Sequence, residues 1–236
     1  MSIKQIVLLI ISLSVLGLSA QKERSTVFKS NSEGYAIFRI PAIVSIPNGD
    51  LLAFCEGREN IDDFGNVDIV MKRSSDRGKT WSKLKVLVDY GQLQAGNSAP
   101  VVDLLDPEYP QGRVFLFYNT GNNHEYDVRI KNGYREVWYI TSTDGGHSWS
   151  EPTNITTMVH RPNFPSANPE YKFEEDWRTY ANTPGHAMQF ADGKYKGRLY
   201  VAANHSQGPP IAPFSDYFAM GIIQMTMEKL FTLASL

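Results

Sequence analysis

Ser74-Ser75-Asp76-Arg77-Gly78-Lys79-Thr80-Trp81 and Ser142-Thr143-Asp144-Gly145-Gly146-His147-Ser148-Trp149 are two copies of one pattern, S-x-D-x-G-x-[ST]-W. Each copy follows a stretch that reads as a strand. The chemistry of the pattern is structural. An Asp side chain folds back on nearby backbone N–H groups, Gly supplies positive φ, and the Ser or Thr hydroxyl closes the turn. The Trp is expected to bury its ring between neighbouring sheets. Five matched positions at fixed spacing, twice over, mark an internal repeat of strand, tight turn and strand. Such a unit points to an all-β chain with a radial architecture.

Outward from the two turns, the chain continues as short apolar runs separated by Asn, Asp, Gly and Pro. Ala36–Ile46 (interrupted by Pro41), Leu51–Cys55, Val67–Arg73, Leu84–Val88, Ala99–Leu104, Arg113–Tyr118, Glu136–Ser142, Ala187–Phe190 and Arg198–Ala202 read as strands. No stretch before residue 219 shows an apolar period of 3.6. His160–Thr183, with three prolines and many charges, reads as an extended loop.

Composition narrows the function classes. Among 236 residues, 23 Lys and Arg face 25 Asp and Glu, so no basic field invites nucleic acid. The single Cys55 excludes an internal disulfide and reads as a small buried hydrophobe. The five His lack an H-x-x-x-H pattern, so no zinc site is expected, and no metal or organic cofactor is implied. Asp103, Asp106, Glu108 and Asp127 lack calcium-loop spacing. The first 20 residues read as an export signal: Lys4, an apolar run Ile6–Leu16, then Gly17-Leu18-Ser19-Ala20. The apolar run is shorter than the roughly 20 residues of a membrane span, although an uncleaved anchor is the alternative. The mature chain is expected to be exported, to the periplasm, cell surface or medium, without stable membrane insertion.

Phe38-Arg39-Ile40-Pro41 lies near the mature N-terminus, and Leu51-Leu52-Ala53-Phe54-Cys55-Glu56-Gly57-Arg58 follows, then an Asp-bearing loop and Val67–Arg73. With the two turns quoted above, which are Asp boxes, this order resembles the non-viral exo-α-sialidases. The resemblance extends through Gly96-Asn97-Ser98-Ala99-Pro100 and Pro184-Gly185-His186 to about Ala219. It implies a six-bladed β-propeller and the removal of terminal sialic acid from glycoproteins, glycolipids or oligosaccharides. It makes Arg39 one of three arginines that grip the sialic acid carboxylate. A planar guanidinium fork matches a carboxylate in two places and stays charged at any working pH. Arg58 takes a pocket role, against substrate or Asp63. Asp63, with Asp62 as the open alternative, becomes the general acid and base; that role requires burial beside substrate to raise its pKa. Asn97 lines the pocket by resemblance or is simply a turn residue, and the same two readings apply to Gly185 and His186.

Sialidases use a Tyr nucleophile. The resemblance places that Tyr, its Glu partner and the other two arginines in the C-terminal half of relatives, and no residue here is assigned to those roles. Little or no turnover is therefore expected of this chain, and a non-catalytic Asp-box or sialoglycan-binding module is the alternative. After Ala219 the composition changes, with Met220, Met225 and Met227 close together. Read from each codon's third base, Met225-Thr226 forces Asp and Met227-Glu228 forces Gly, so the shifted text can spell a third Asp box. Met220–Leu236 is thus expected to be an out-of-frame tail, a short amphipathic helix being the alternative. Residues 21–219, at roughly 45–50 residues per blade, make about four blades.

Overall fold

The computed structural model describes residues 24–224 and 231–233. The expected export signal lies outside these residues, as does most of the segment after Gln224. Among the described residues the fold is all-β, apart from two short α-helices and one 3-10 turn.

The strands fall into three antiparallel groups. The first comprises β1 (Ile37–Ser45), β2 (Leu51–Arg58), β3 (Val67–Ser74) and β4 (Lys85–Val88), paired in sequence order. The second comprises β5 (Gln94–Asp103), β6 (Arg113–Gly121), β7 (Arg135–Ser142) and β8 (Thr153–Asn154). A parallel pairing at Val67 and Gln94 joins the first two groups. In the third, β11 (Leu199–Gln207) pairs with β9 (Trp177–Asn182), β10 (Met188–Gln189) and β12 (Tyr217–Gln224); β12 also pairs with β13 (Phe231–Leu233). Helix α1 (Glu125–Arg129) follows β6, and α2 (Thr156–Val159) follows β8.

Strand β6 explains how the groups stack. Successive side chains of a strand point to opposite faces. Leu116 and Tyr118 join Leu52, Phe54, Ile69 and Met71 in one core, while Phe115 and Phe117 join Leu199, Val201, Met220 and Ile222 in the other. The middle group is therefore dry on both faces, each core lying between successive groups. Strand β3 is also buried on both faces despite its charges, because the segment before β1 covers it. Lys72 pairs with Glu33 at 2.6 Å and donates to the Val27 carbonyl at 2.9 Å, and Tyr35 donates to Asp68 at 2.6 Å.

Both Asp boxes close as their chemistry requires. The Ser74 hydroxyl donates to Asp76 and the Gly78 N–H donates to Ser74, each at 2.8 Å; Thr80 donates to Asp76 through backbone and hydroxyl. Ser142, Asp144, Gly146 and Ser148 repeat every one of these bonds. The Trp rings are half-buried rather than enclosed. Trp149 meets Phe54 edge-on across the group boundary at 5.9 Å, as expected of it, whereas the Trp81 indole donates to Ser25 of the N-terminal segment.

Two expectations need correction. His160–Thr183 is not wholly loop: it contains β9, held to β11 by reciprocal bonds in which the Thr179 N–H donates to the Ser206 hydroxyl and the Ser206 N–H to the Thr179 hydroxyl. The strand beginning near Ala99 starts five residues earlier, at Gln94, with a register shift between Gly96 and Ala99 that absorbs Asn97. The composition change at Ala219 falls inside β12, which runs on through Met220 and Ile222 into the core.

Candidate active site

Arg39 is presented by a distorted strand end. Ladder register shifts between Arg39 and Ala42, and Ile40 has φ of 57°. A β-branched residue in that region is strained by about 1–3 kcal/mol. Pro41 lacks the N–H that a regular ladder would use, which suits it to the bulge. The irregularity turns Arg39 out of the sheet toward a cavity of about 320 Å³. A second irregularity in β5 does the same for Asn97, whose φ is 55°.

All three strand groups line this cavity. Arg39 comes from β1, Arg58 from β2 and Asp63 from the β2–β3 connection; Gln94, Asn97 and Asn119 come from β5 and β6. Glu125 of α1, Arg135 of β7, Tyr180 of β9, Asn204 of β11 and Tyr217 of β12 complete the wall. Gly185 and His186 are not among its lining residues; the His186 ring instead meets the Ile43 carbonyl at 2.7 Å.

One carboxylate oxygen organises the charged side. Asp63 Oδ1 accepts from Arg39 Nη1 at 3.0 Å and from Arg58 Nη1 at 2.7 Å. Asp62 contributes only its backbone carbonyl, to Arg58 at 2.8 Å, so the two neighbouring acids are geometrically distinct. The Arg58 hydrogen bond, reinforced by both positive charges, holds Asp63 below the usual carboxylate range although partial burial opposes this. The raise expected from the sequence is one that burial beside substrate would bring, and these protein groups alone act the other way. The reason is geometric: Asp63 sits on an exposed connection with its side chain 75% accessible, so burial is weak beside two guanidinia.

Arg58 is itself anchored by Glu56, a residue the sequence reading passed over. Glu56 accepts from Arg58 Nε at 2.9 Å, and its other oxygen accepts the Asn97 N–H at 2.7 Å. Both Glu56 and Arg58 side chains are buried. Burial pushes the Glu56 pKa up, and Glu56 and Asp63 keep Arg58 a cation against the cost of its own burial. The signal was present in the sequence: residues two apart in a strand share a face, which puts Glu56 beside Arg58.

The same cavity is also lined by Arg135 and a phenol–carboxylate pair, neither anticipated. Arg135 is buried, donates to the Asn123 carbonyl at 2.8 Å, and has its pKa drawn down to about 10 by desolvation. The Tyr217 hydroxyl donates to Glu125. Burial, then the bond to Glu125, raises the Tyr217 pKa. Tyr35 with Asp68 and Tyr171 with Glu136 form similar pairs elsewhere, so the pairing alone does not define a nucleophile. Cys55 is buried with its thiol toward the Arg39 carbonyl, and burial pushes its pKa up to about 12. Among the described residues no cluster of His, Cys, Asp and Glu could hold a metal ion, and no helix is long and apolar enough to cross a membrane.

Comparison with known proteins meets this geometry. The family model for the BNR repeat-like domain matches residues 49–217. Over 179 residues the chain is 32% identical to a sialidase of Micromonospora viridifaciens, covering 71% of this chain and 25% of the relative. The chain belongs to the BNR-repeat sialidase family. An exo-alpha-sialidase of Arthroderma benhamiae is 33% identical over 148 residues, covering 53% of this chain and 35% of the relative. Among solved structures, the Hadza microbial sialidase Hz136 superposes with a TM-score of 0.65 at 21% identity, covering 85% of this chain and 38% of that one. This sialidase-family chain thus spans a quarter to about a third of the length of these two curated relatives. The structural likeness supports an all-β fold of sialidase type.

Proposed function

We propose that the cavity binds a terminal sialic acid and that the chain carries the carboxylate-gripping and acid–base portion of an exo-α-sialidase-type glycoside hydrolase. The observation that carries this reading is the bridge of Asp63 between Arg39 and Arg58 at the cavity wall. In this role the Arg39 fork holds the ligand carboxylate, Arg58 shapes the pocket under the control of Glu56, and Asn97 fixes the wall between them. Asp63 protonates the departing glycosidic oxygen and later takes a proton from water. In a retaining mechanism the anomeric carbon is attacked by a Tyr, because a carboxylate there would meet the substrate's own charge. We assign no residue of this chain to that attack.

The low pKa of Asp63 favours a second reading, a sialoglycan-binding module without catalysis. Hydrolysis of a fluorogenic sialoside by the purified chain separates the two. A measurable rate that Asp63→Asn abolishes supports the enzyme. Binding of sialic acid without hydrolysis supports the module. Loss of sialic acid binding in Arg39→Ala is expected under both, and unchanged binding contradicts both.

The same reading takes the three antiparallel groups as successive blades of a six-bladed β-propeller, one fewer than chain length suggests. It also takes residues 1–20 as an export signal, which fractionation of expressing cells tests. The frameshift reading of Met220–Leu236 is decided by the nucleotide sequence following the Ala219 codon.

A further inference from the structure

The charged wall of the cavity is not empty of anions: it already contains one. Asp63 Oδ1 lies within hydrogen-bonding distance of two guanidinia from different strands, at 3.0 Å and 2.7 Å. This is the arrangement in which a ligand carboxylate would be held. The two arginines differ in freedom. Arg58 is buried and fixed by Glu56, while the Arg39 side chain is 41% accessible and has no other carboxylate partner among the described residues. Asp63 is the most exposed of the three, its side chain 75% accessible on a connection where Ile61 is also exposed.

Resting on the reading that the cavity takes a sialic acid, we propose that Asp63 is a specificity-determining residue: it is the resident counter-anion of the Arg39–Arg58 pair, and a ligand carboxylate must displace it from Arg39 to bind. The site therefore selects against weak, single-point anions. A ligand wins only when its carboxylate engages the guanidinium fork while its other polar groups engage the rest of the wall.

Displacement has a second consequence. Asp63 then loses the positive charge of Arg39, one of the influences that hold its carboxyl ionised. Its surroundings favour the change. Besides Arg39 on β1 and Arg58 on β2, the charged groups around it are Glu56, the neighbouring Asp62, and Glu125 and Arg135 of the same cavity, joined by a ligand carboxylate once it is placed at Arg39. The arriving anion replaces attraction with repulsion, so ligand binding and protonation of Asp63 favour one another. The carboxyl is ionised in the free site and becomes competent to donate a proton only once the ligand is seated.

Titration of the full chain with N-acetylneuraminic acid tests this. Asp63→Asn keeps the side-chain volume and removes the competing charge, and Asp63→Ala removes the competitor altogether. Both are expected to lower the dissociation constant by about twofold to fivefold, the scale of an exposed ion pair. Arg39→Ala is the control for the underlying reading and is expected to abolish binding. If Arg39→Ala loses binding while both Asp63 variants bind no more tightly than the wild type, the counter-anion proposal is overturned and the sialic acid reading stands. If neither the wild type nor the Asp63 variants bind, or if Arg39→Ala binds normally, both fall.

Discussion

Glu56 and Arg58, two residues apart on β2, form a buried ion pair with Arg58 Nε 2.9 Å from Glu56 Oε2. The pair joins two strand groups, because the second Glu56 oxygen takes the Asn97 N–H of β5. Removing one partner of a buried pair leaves an uncompensated charge and costs about 3–5 kcal/mol, whereas replacing both with apolar groups is often neutral. Glu56→Leu leaves Arg58 with only the exposed Asp63 as carboxylate partner and is thus expected to lower unfolding stability by up to about 3 kcal/mol. Glu56→Leu with Arg58→Met should recover most of that loss without restoring sialic acid binding. Urea denaturation of the wild type and the two variants, followed by ligand titration of the double variant, checks both halves.

The two Asp boxes differ at one strained position. Arg77 has φ of 62°, while its counterpart Gly145 has φ of 71°. Arg77→Gly relieves the strain and is expected to be neutral or to stabilise by about 1 kcal/mol, glycine's extra chain entropy opposing part of the gain. Gly145→Ala should destabilise by about 1 kcal/mol or more, since positive φ disfavours Ala and its Cβ would meet Ile46 at 3.0 Å. Opposite signs in thermal melts are the expected outcome. A shared sign would show that the boxes are not equivalent turns.

Two buried histidines set an acid limit. Burial lowers the pKa of His160 from 6.5 to about 3 and that of His205 to about 4. Above pH 6.5 both are neutral folded and unfolded. As pH falls below 6.5 the unfolded chain takes up protons that the folded chain refuses, so stability declines from there down through the folded pKa values. Neither His160 ring nitrogen has a hydrogen-bond partner, so His160→Phe removes the proton linkage without orphaning a bond. The urea midpoint of the wild type should fall between pH 6.5 and 4, and that of His160→Phe should fall less steeply. Parallel slopes would contradict the assignment.

The parts legible in sequence were those whose chemistry is local. The Asp boxes close on their own side chains, and β1, β3, β6 and β7 show as apolar or β-rich runs between turns. Arg39, Arg58 and Asp63 stood in short recognisable stretches, and the structure brings them together. Strand β9 was missed because Trp177–Asn182 follows prolines and charges, and its partners lie on β11. Asn97 reads as a turn residue because it occupies a ladder irregularity. Arg135, Glu125 and Tyr217 reach the cavity only through packing of separate groups, which no local pattern encodes. Glu56 was readable from strand periodicity alone.

The central claim is that this cavity recognises a sialic acid through its carboxylate. The direct measurement is the affinity of the wild-type chain for N-acetylneuraminic acid compared with its methyl ester, which keeps the sugar and removes the charge. The acid is expected to bind at least about tenfold more tightly, the scale of a charge-assisted contact to a guanidinium. Equal affinity, or tighter binding of the ester, would contradict the account.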